Sequence, residues 1–349
     1  MKYIVKYKER MGEWLKAFEN CKLCSWECGV NRLGGEPGVC GVGVPEVGYC
    51  NLAQVLRSYS VTMLGCNFKC IYCNAYRLSQ YPDSGWFYRG YVPPEELASE
   101  AIQRIESHEG RAMGVDKMSF TGGEPTIHLP YIKAVVEHAR EKMPGMGVGF
   151  ATNGFMSLDT LRQVIQFCSY ITFEIKAFND DTHRALTGAP VEPVLRNAEY
   201  LMRNGRDRIR AFRTIVIPGI NDEEIEDIAE FIASIDPTVP LRIIPFRPNY
   251  ILYYHPGPTR ARMEEIGREV SKKSGLENVW WGGYYPMEIS KRVIETARSL
   301  KSMKHEGAKL ALAYSRLAGC ISSSRNCGEC PSRANCPAAL KEPWLLDLE

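Results

Sequence analysis

Between residues 58 and 248 the chain switches repeatedly between two hydrophobic periods. Short runs dense in β-branched and aromatic residues predict six strands at Ser58–Leu64, Val115–Phe120, Gly147–Ala151, Tyr170–Ile175, Ile209–Ile217 and Leu241–Pro245. Stretches near 94–107, 130–142, 157–167, 192–204 and 222–234 carry apolar residues at helical spacing, with Ser157 and Asn221 placed as N-caps. Strands alternating with helices predict an α/β fold on a parallel sheet, either an open doubly wound sheet or an incomplete barrel. Both architectures put chemistry at the carboxyl ends of the strands. Outside this region, residues 1–20 predict a short amphipathic helix bearing Met11, Trp14, Leu15 and Phe18. Three regions follow: a cysteine-rich extension over 1–57, the β/α region over 58–248, and a second extension over 249–349.

The strand ends are not bland. The first leads into Gly65-Cys66-Asn67-Phe68-Lys69-Cys70-Ile71-Tyr72-Cys73-Asn74, three cysteines spaced C-x3-C-x2-C. Thr121-Gly122-Gly123-Glu124-Pro125 follows the second strand, Asn153-Gly154 the third, and Lys176 closes the fourth; Arg213 lies on the fifth and Arg247 follows the sixth. Three thiolates can hold three irons of a [4Fe-4S] cube and leave the fourth iron open. A zinc site short of one ligand and packed free thiols are the alternatives, but residues 74–90 supply neither cysteine nor histidine. No residue is singled out as an acid, base or nucleophile.

Composition narrows the partners. The 349 residues carry 43 basic and 41 acidic side chains, net +2, so no field of one sign draws nucleic acid or anionic lipid. No apolar run is long enough to span a bilayer and the N-terminus has no long apolar signal core, which predicts a cytoplasmic protein. Thirteen cysteines in a reducing compartment point to metal or redox work. Eleven fall in three clusters, while Cys50 stands between the first two and Cys168 sits in an apolar run as a core residue.

The C-x3-C-x2-C loop with Tyr72 before its third cysteine resembles the signature of the radical S-adenosylmethionine (radical SAM) enzymes. Phe173–Asp180, Thr187-Gly188 and Val216–Asp222 are similar to the later motifs of the branch containing pyruvate formate-lyase activating enzyme. The resemblance covers about residues 58–248. It implies a partial (β/α)6 TIM-type barrel, a [4Fe-4S] cluster on Cys66, Cys70 and Cys73, and S-adenosylmethionine on its open iron. It also implies cofactor contacts from Tyr72, Gly122, Gly123, Glu124, Asn153, Lys176 and Arg213. The family's activating enzymes carry aspartates where this chain has Ala151 and Glu174, so their monovalent-cation site is not carried over. A one-electron donor such as ferredoxin or flavodoxin is the implied partner, with a protein or peptide as substrate. A tRNA base or small metabolite is the alternative substrate, and a non-catalytic electron carrier the alternative protein.

Two further clusters flank this core. Cys21, Cys24, Cys28 and Cys40, among Gly34, Gly35 and Gly38, suit zinc or an auxiliary iron-sulfur cluster, with Cys50 able to replace one of them. Cys320, Cys327, Cys330 and Cys336, followed by Pro337, resemble the ligands of a second [4Fe-4S] cluster and part of the SPASM auxiliary-cluster pattern, whose remainder is absent, with zinc or free thiols as the alternatives. The aromatic stretches 247–258 and 278–286, which include Tyr250, Tyr253, Tyr254, His255, Trp280, Trp281, Tyr284 and Tyr285, are expected to pack the C-terminal extension onto its domain. The run Arg203, Arg206, Arg208 and Arg210 is expected to be a solvated edge.

Overall fold

A computed structural model describes residues 12–80, 88–282 and 289–340. Eight strands lie in the order β1 (Val47–Ala53), β2 (Ser58–Met63), β3 (Lys117–Gly122), β4 (Gly147–Thr152), β5 (Tyr170–Glu174), β6 (Ile209–Val216), β7 (Leu241–Pro245), β8 (Val279–Trp281). The pairs β2–β3, β3–β4, β6–β7 and β7–β8 are parallel, and β1 runs antiparallel along β2. The six strands read from the pattern are β2 to β7, and with their helices they form a partial (β/α) barrel.

The major helices are α1 (Pro94–Glu106), α2 (Leu129–Lys142), α3 (Leu158–Phe167), α4 (Asp180–Thr187), α5 (Glu192–Asn204), α6 (Ile225–Ile235), α7 (Arg260–Lys273), α8 (Lys291–Ser299) and α9 (Glu306–Leu317). Ser157 caps α3 by accepting from Thr160 N. Asn221 does not cap α6. Its side chain accepts from Ile217 N and donates to Lys176 O and Ile215 O, while Glu224 accepts from Phe178 N and Asn179 N. With those side chains committed to loops, the helix begins only at Ile225. The helix expected at the N-terminus is a 3-10 turn over Glu13–Phe18; Met11 lies outside the described residues.

The chain divides into two compact units that do not follow chain order. One comprises Met1–Asn67 and Arg77–Ile171, the other Phe68–Tyr76 and Thr172–Glu349. In the first, β2 is buried along its whole length, as a strand covered on both faces must be, and Phe120 packs against Phe150 with the rings tilted by 31°. In the second, Phe173 and Phe212 pack 5.1 Å apart across β5 and β6. Tyr250 and His255 are fully buried, and His255 bonds to Tyr314 on α9 and to Pro218 O. This part of the aromatic stretch therefore packs the C-terminal extension. Trp280 is 59% exposed, and Tyr284 and Tyr285 lie outside the described residues.

Candidate active site

The cysteine loop leaves the end of β2. Its first residues belong to the first unit, where the glycine pair after β3 approaches them closely. Gly123 N donates to Met63 O and Glu124 N to Gly65 O. A Cβ on Gly123 would stand 1.8 Å from Gly65 O, so the second glycine of the motif is required by backbone packing alone. Glu124 is 1% exposed. Its Oε1 accepts from Thr126 N, Thr126 Oγ1 and Thr152 Oγ1, and its Oε2 from Asn153 N. Burial pushes this carboxyl above its ordinary range, and the donors, Asn153 N first, oppose the shift. Among the described residues, no cation is hydrogen-bonded to it.

Asn153 extends the network to the loop. Its Nδ2 donates to Asn67 Oδ1 at 2.7 Å and points at Cys66 Sγ at 3.7 Å, and its Oδ1 accepts from Phe155 N. A hydrogen bond to a ligand sulfur is one of the levers that sets a cluster's reduction potential. Asn67 was missed from the pattern. It is fully buried, and its carbonyl also accepts from Trp26 Nε1.

In the second unit the remaining loop residues hang on the end of α4. Lys69 N donates to Thr187 O and Ile71 N to Leu186 O. Asn249 donates to Cys73 O, and Tyr76 stacks on Tyr250 with centroids 4.6 Å apart. Cys70 and Tyr72 are buried. Burial pushes the Cys70 thiol up to about 12, against the pull of Lys176. A thiol held there is protonated near neutrality, and a metal centre is what keeps such a sulfur as thiolate. The Lys176 ammonium lies 5.4 Å from the Tyr72 ring centroid, a cation–π contact, and the ring packs edge-on against Phe246.

The Lys176 side chain is mostly buried, with 12% of it exposed. Its Nζ sits 2.6 Å from Glu174 Oε1, while Arg213 donates from Nε and Nη2 to Glu174 Oε2 at 2.9 and 2.5 Å. Burial alone would raise the Glu174 carboxyl, but Lys176 and Arg213 overcome it and hold the group at about 2. Two cations on one buried anion leave this cluster with net positive charge. Arg247 is exposed.

The N-terminal cysteines lie in the first unit. Cys21, Cys24 and Cys40 are buried and Cys28 half-buried. The sulfurs of Cys28 and Cys40 lie 3.8 and 3.7 Å from the position of a Cβ on Gly38. Burial raises the Cys24 thiol, and its neighbours Cys40, Cys28 and Cys21 add to the shift. Cys50 stands elsewhere, beside Arg89 and among Tyr59 and Glu100. Arg32, also missed from the pattern, is 1% exposed and threads through the cluster. It donates to Val42 O, Gly43 O and Ile127 O, lies 3.8 Å from Cys21 Sγ, and meets His128 Nδ1 at 3.5 Å. His128 donates to Leu64 O and is held neutral, at about 3, by burial and then by Arg32. Among the described residues, no group of three or more His, Cys, Asp or Glu side chains is gathered for a single metal ion.

Cys320, Cys327, Cys330 and Cys336 are half-buried in the second unit. The basic run over 203–210 is a solvated edge: Arg203 pairs with Glu199, Arg206 with Asp236 and Arg208 with Asp207. Cys168 is buried core. Among the described residues, no helix is long and apolar enough to cross a membrane.

The model of the Radical SAM superfamily matches residues 60–232. An uncharacterized protein of Methanocaldococcus jannaschii, MJ0808, is 27% identical over 288 residues, covering 75% of this chain and 80% of its own. The isethionate sulfite-lyase activating enzyme of Desulfovibrio desulfuricans is 29% identical over 162 residues, 46% of this chain and 51% of that enzyme. The GTP 3',8-cyclase of Microcystis aeruginosa is 27% identical over 190 residues, covering 52% of this chain and 54% of its own. Among solved structures, a domain of pyruvate-formate lyase-activating enzyme from Bacteroides vulgatus has a TM-score of 0.39 at 21% identity, covering 48% of this chain and 98% of its own. Streptococcus suis SuiB bound to precursor peptide SuiA has a TM-score of 0.45 at 17% identity, covering 64% and 47%. The chain carries a radical SAM superfamily domain over residues 60–232, and with it the dependence on S-adenosylmethionine and an iron-sulfur cluster that makes such a domain an enzyme.

Proposed function

We propose that this enzyme installs a radical or a modification on a protein or peptide, in the manner of the activating enzymes. Cys66, Cys70 and Cys73 are the residues to hold the [4Fe-4S] cluster. When bound and reduced, that cluster would supply one electron to the sulfonium of S-adenosylmethionine, whose bond from sulfur to the 5′ carbon would break to release methionine and a 5′-deoxyadenosyl radical able to take a hydrogen atom from the substrate.

The chain's own residues suit this work in three ways. Asn153 aims an amide at the Cys66 sulfur and so tunes its donor strength. Glu124 keeps one acceptor position on Oε2 and has no cation of its own, which suits an ammonium such as the methionyl amine. Lys176 and Arg213, in excess over Glu174, suit a carboxylate or the polar edge of a ribose. The observation that carries the reading is the three-cysteine loop set on the end of β2, with the Asn153 amide on its first sulfur. The likeness to an enzyme that activates isethionate sulfite-lyase supports a macromolecular substrate, over a stretch of about half of each chain.

The test is 5′-deoxyadenosine release by anaerobically reconstituted protein with dithionite and S-adenosylmethionine. Fractions of an anaerobic extract are then added to the assay. The proposal expects stimulation by the protein fraction that protease digestion alters. Stimulation by the small-molecule or RNA fraction alone would overturn the substrate class.

A further inference from the structure

Within the first unit, the N-terminal extension reaches the start of the cysteine loop. Residues 23–25 lie along the turn that follows β4. Ser157 N donates to Leu23 O, Ser25 N to Phe155 O and Ser25 Oγ to Met156 O, and Cys24 forms an antiparallel bridge with Met156. These bonds fix the backbone just ahead of Trp26, and with it the direction in which the indole leaves. The ring is half-buried, 5.0 Å from that of Phe155, and its Nε1 donates to Asn67 O at 2.8 Å, across 41 residues of chain. The extension also holds the residues just before. Leu64 N donates to Glu46 O. Gly65, at φ +76°, has no room for a Cβ, which would stand 2.4 Å from Val42 Cγ1 and 3.1 Å from Cys40 O. Residues 64, 65 and 67 are each held by the extension, with Cys66 between them.

Asn67 is held at two points. Trp26 takes its carbonyl, and its Oδ1 accepts from Asn153 Nδ2 at 2.7 Å. The same Nδ2 points at Cys66 Sγ at 3.7 Å, while Asn153 Oδ1 accepts from Phe155 N. A carboxamide nitrogen carries two N–H donors. With one directed at Asn67, the aim of the other at sulfur depends on where Asn67 stands. The indole sets that place.

We propose that Trp26 is a positioning residue for the loop cluster, acting on the Cys66 sulfur through Asn67 and Asn153. The proposal rests on the reading of Cys66 as a cluster ligand and is independent of the substrate class. Donors to a ligand sulfur favour the reduced cluster, which carries the greater negative charge. Trp26 therefore holds the potential above the value the loop would have without it.

The test is an EPR-monitored redox titration of the anaerobically reconstituted full chain, following the signal that S-adenosylmethionine perturbs, beside chemical denaturation of the same proteins. Trp26→Phe keeps an aromatic ring and removes the donor. It is expected to shift the midpoint to more negative potential, by less than Asn153→Ala does. Trp26→His places an Nε2 donor at the same position of a five-membered ring and is expected to lie nearer wild type. In the Asn153→Ala background Trp26→Phe is expected to add no shift, because the route to sulfur is already cut. Lost stability with an unmoved potential, or an equal shift in both backgrounds, would overturn the proposal. If Trp26→Phe fails to assemble its cluster, Asn67→Ala decides: it cuts the same route with the indole in place, and an unmoved potential there would overturn the proposal. The expected shifts without any release of 5′-deoxyadenosine would sink the proposed function and leave this inference standing. A wild type with no signal that S-adenosylmethionine perturbs would overturn both.

Discussion

Two buried glutamates stand at strand ends, one in each compact unit, and their surroundings are opposites. Among the described residues, Glu124 is met by neutral donors, from Thr126, Thr152 and Asn153. Glu174 is met by two cations, Lys176 and Arg213. The same side chain at similar depth is therefore held by neutral donors in one region and is the minority charge of a cationic cluster in the other. Burial raises the first carboxyl, whereas the cations overcome burial and hold the second at about 2. The difference is one of partners: neutral donors surround the first carboxylate, and two cations the second.

The largest effect expected from breaking this comparison is at Glu174. Glu174→Ala leaves Lys176 and Arg213 facing each other without their shared anion, and should cost about 3–5 kcal/mol in chemical denaturation. Next comes Gly123→Ala, which drives a methyl into Gly65 O and should cost at least about 1–3 kcal/mol while displacing the cysteine loop. Glu124→Gln replaces acceptors by an amide among donors. It should cost about 1–3 kcal/mol in stability and raise the KM for S-adenosylmethionine.

The pH dependence separates the two glutamates by sign. Glu174, with its folded pKa depressed, contributes stability that is complete above about 4.3, its unfolded value, and is lost as pH falls towards about 2. Glu124, with its folded pKa raised, contributes in the reverse sense: its share is present at low pH and lost as pH rises through the folded value. Acid titrations of stability should therefore flatten in Glu174→Gln but steepen in Glu124→Gln. The smallest effect is expected at exposed Arg247, where Arg247→Ala should stay within about 0.5 kcal/mol of wild type.

The sequence pattern carried most of the barrel because its strands and helices have distinct periods. All six expected strands are present, within one to two residues at their ends. It missed β1, whose sequence Val-Gly-Tyr-Cys-Asn-Leu-Ala mixes exposed and polar positions along an antiparallel pairing, and β8, which is three residues long. It missed α4 because Asp180-Asp181-Thr182-His183-Arg184 reads as polar, although His183 is buried and bonded to Ala189 O. Of the candidate site, the cysteine loop and the Gly-Gly-Glu turn were legible because their spacing is local. Arg32, His128, Asn67 and Trp26 were not, since each matters only through residues far away in the chain. A tryptophan between cysteines is the one signal that could have drawn attention to Trp26.

The central claim is that the Cys66–Cys73 loop holds the cluster through which S-adenosylmethionine is cleaved. It is tested most directly by measuring 5′-deoxyadenosine from wild type and from Cys70→Ala, both reconstituted anaerobically with iron and sulfide and reduced with dithionite. The account predicts release by wild type and none above the blank from Cys70→Ala. No release from iron-loaded wild type, or undiminished release from Cys70→Ala, would contradict it.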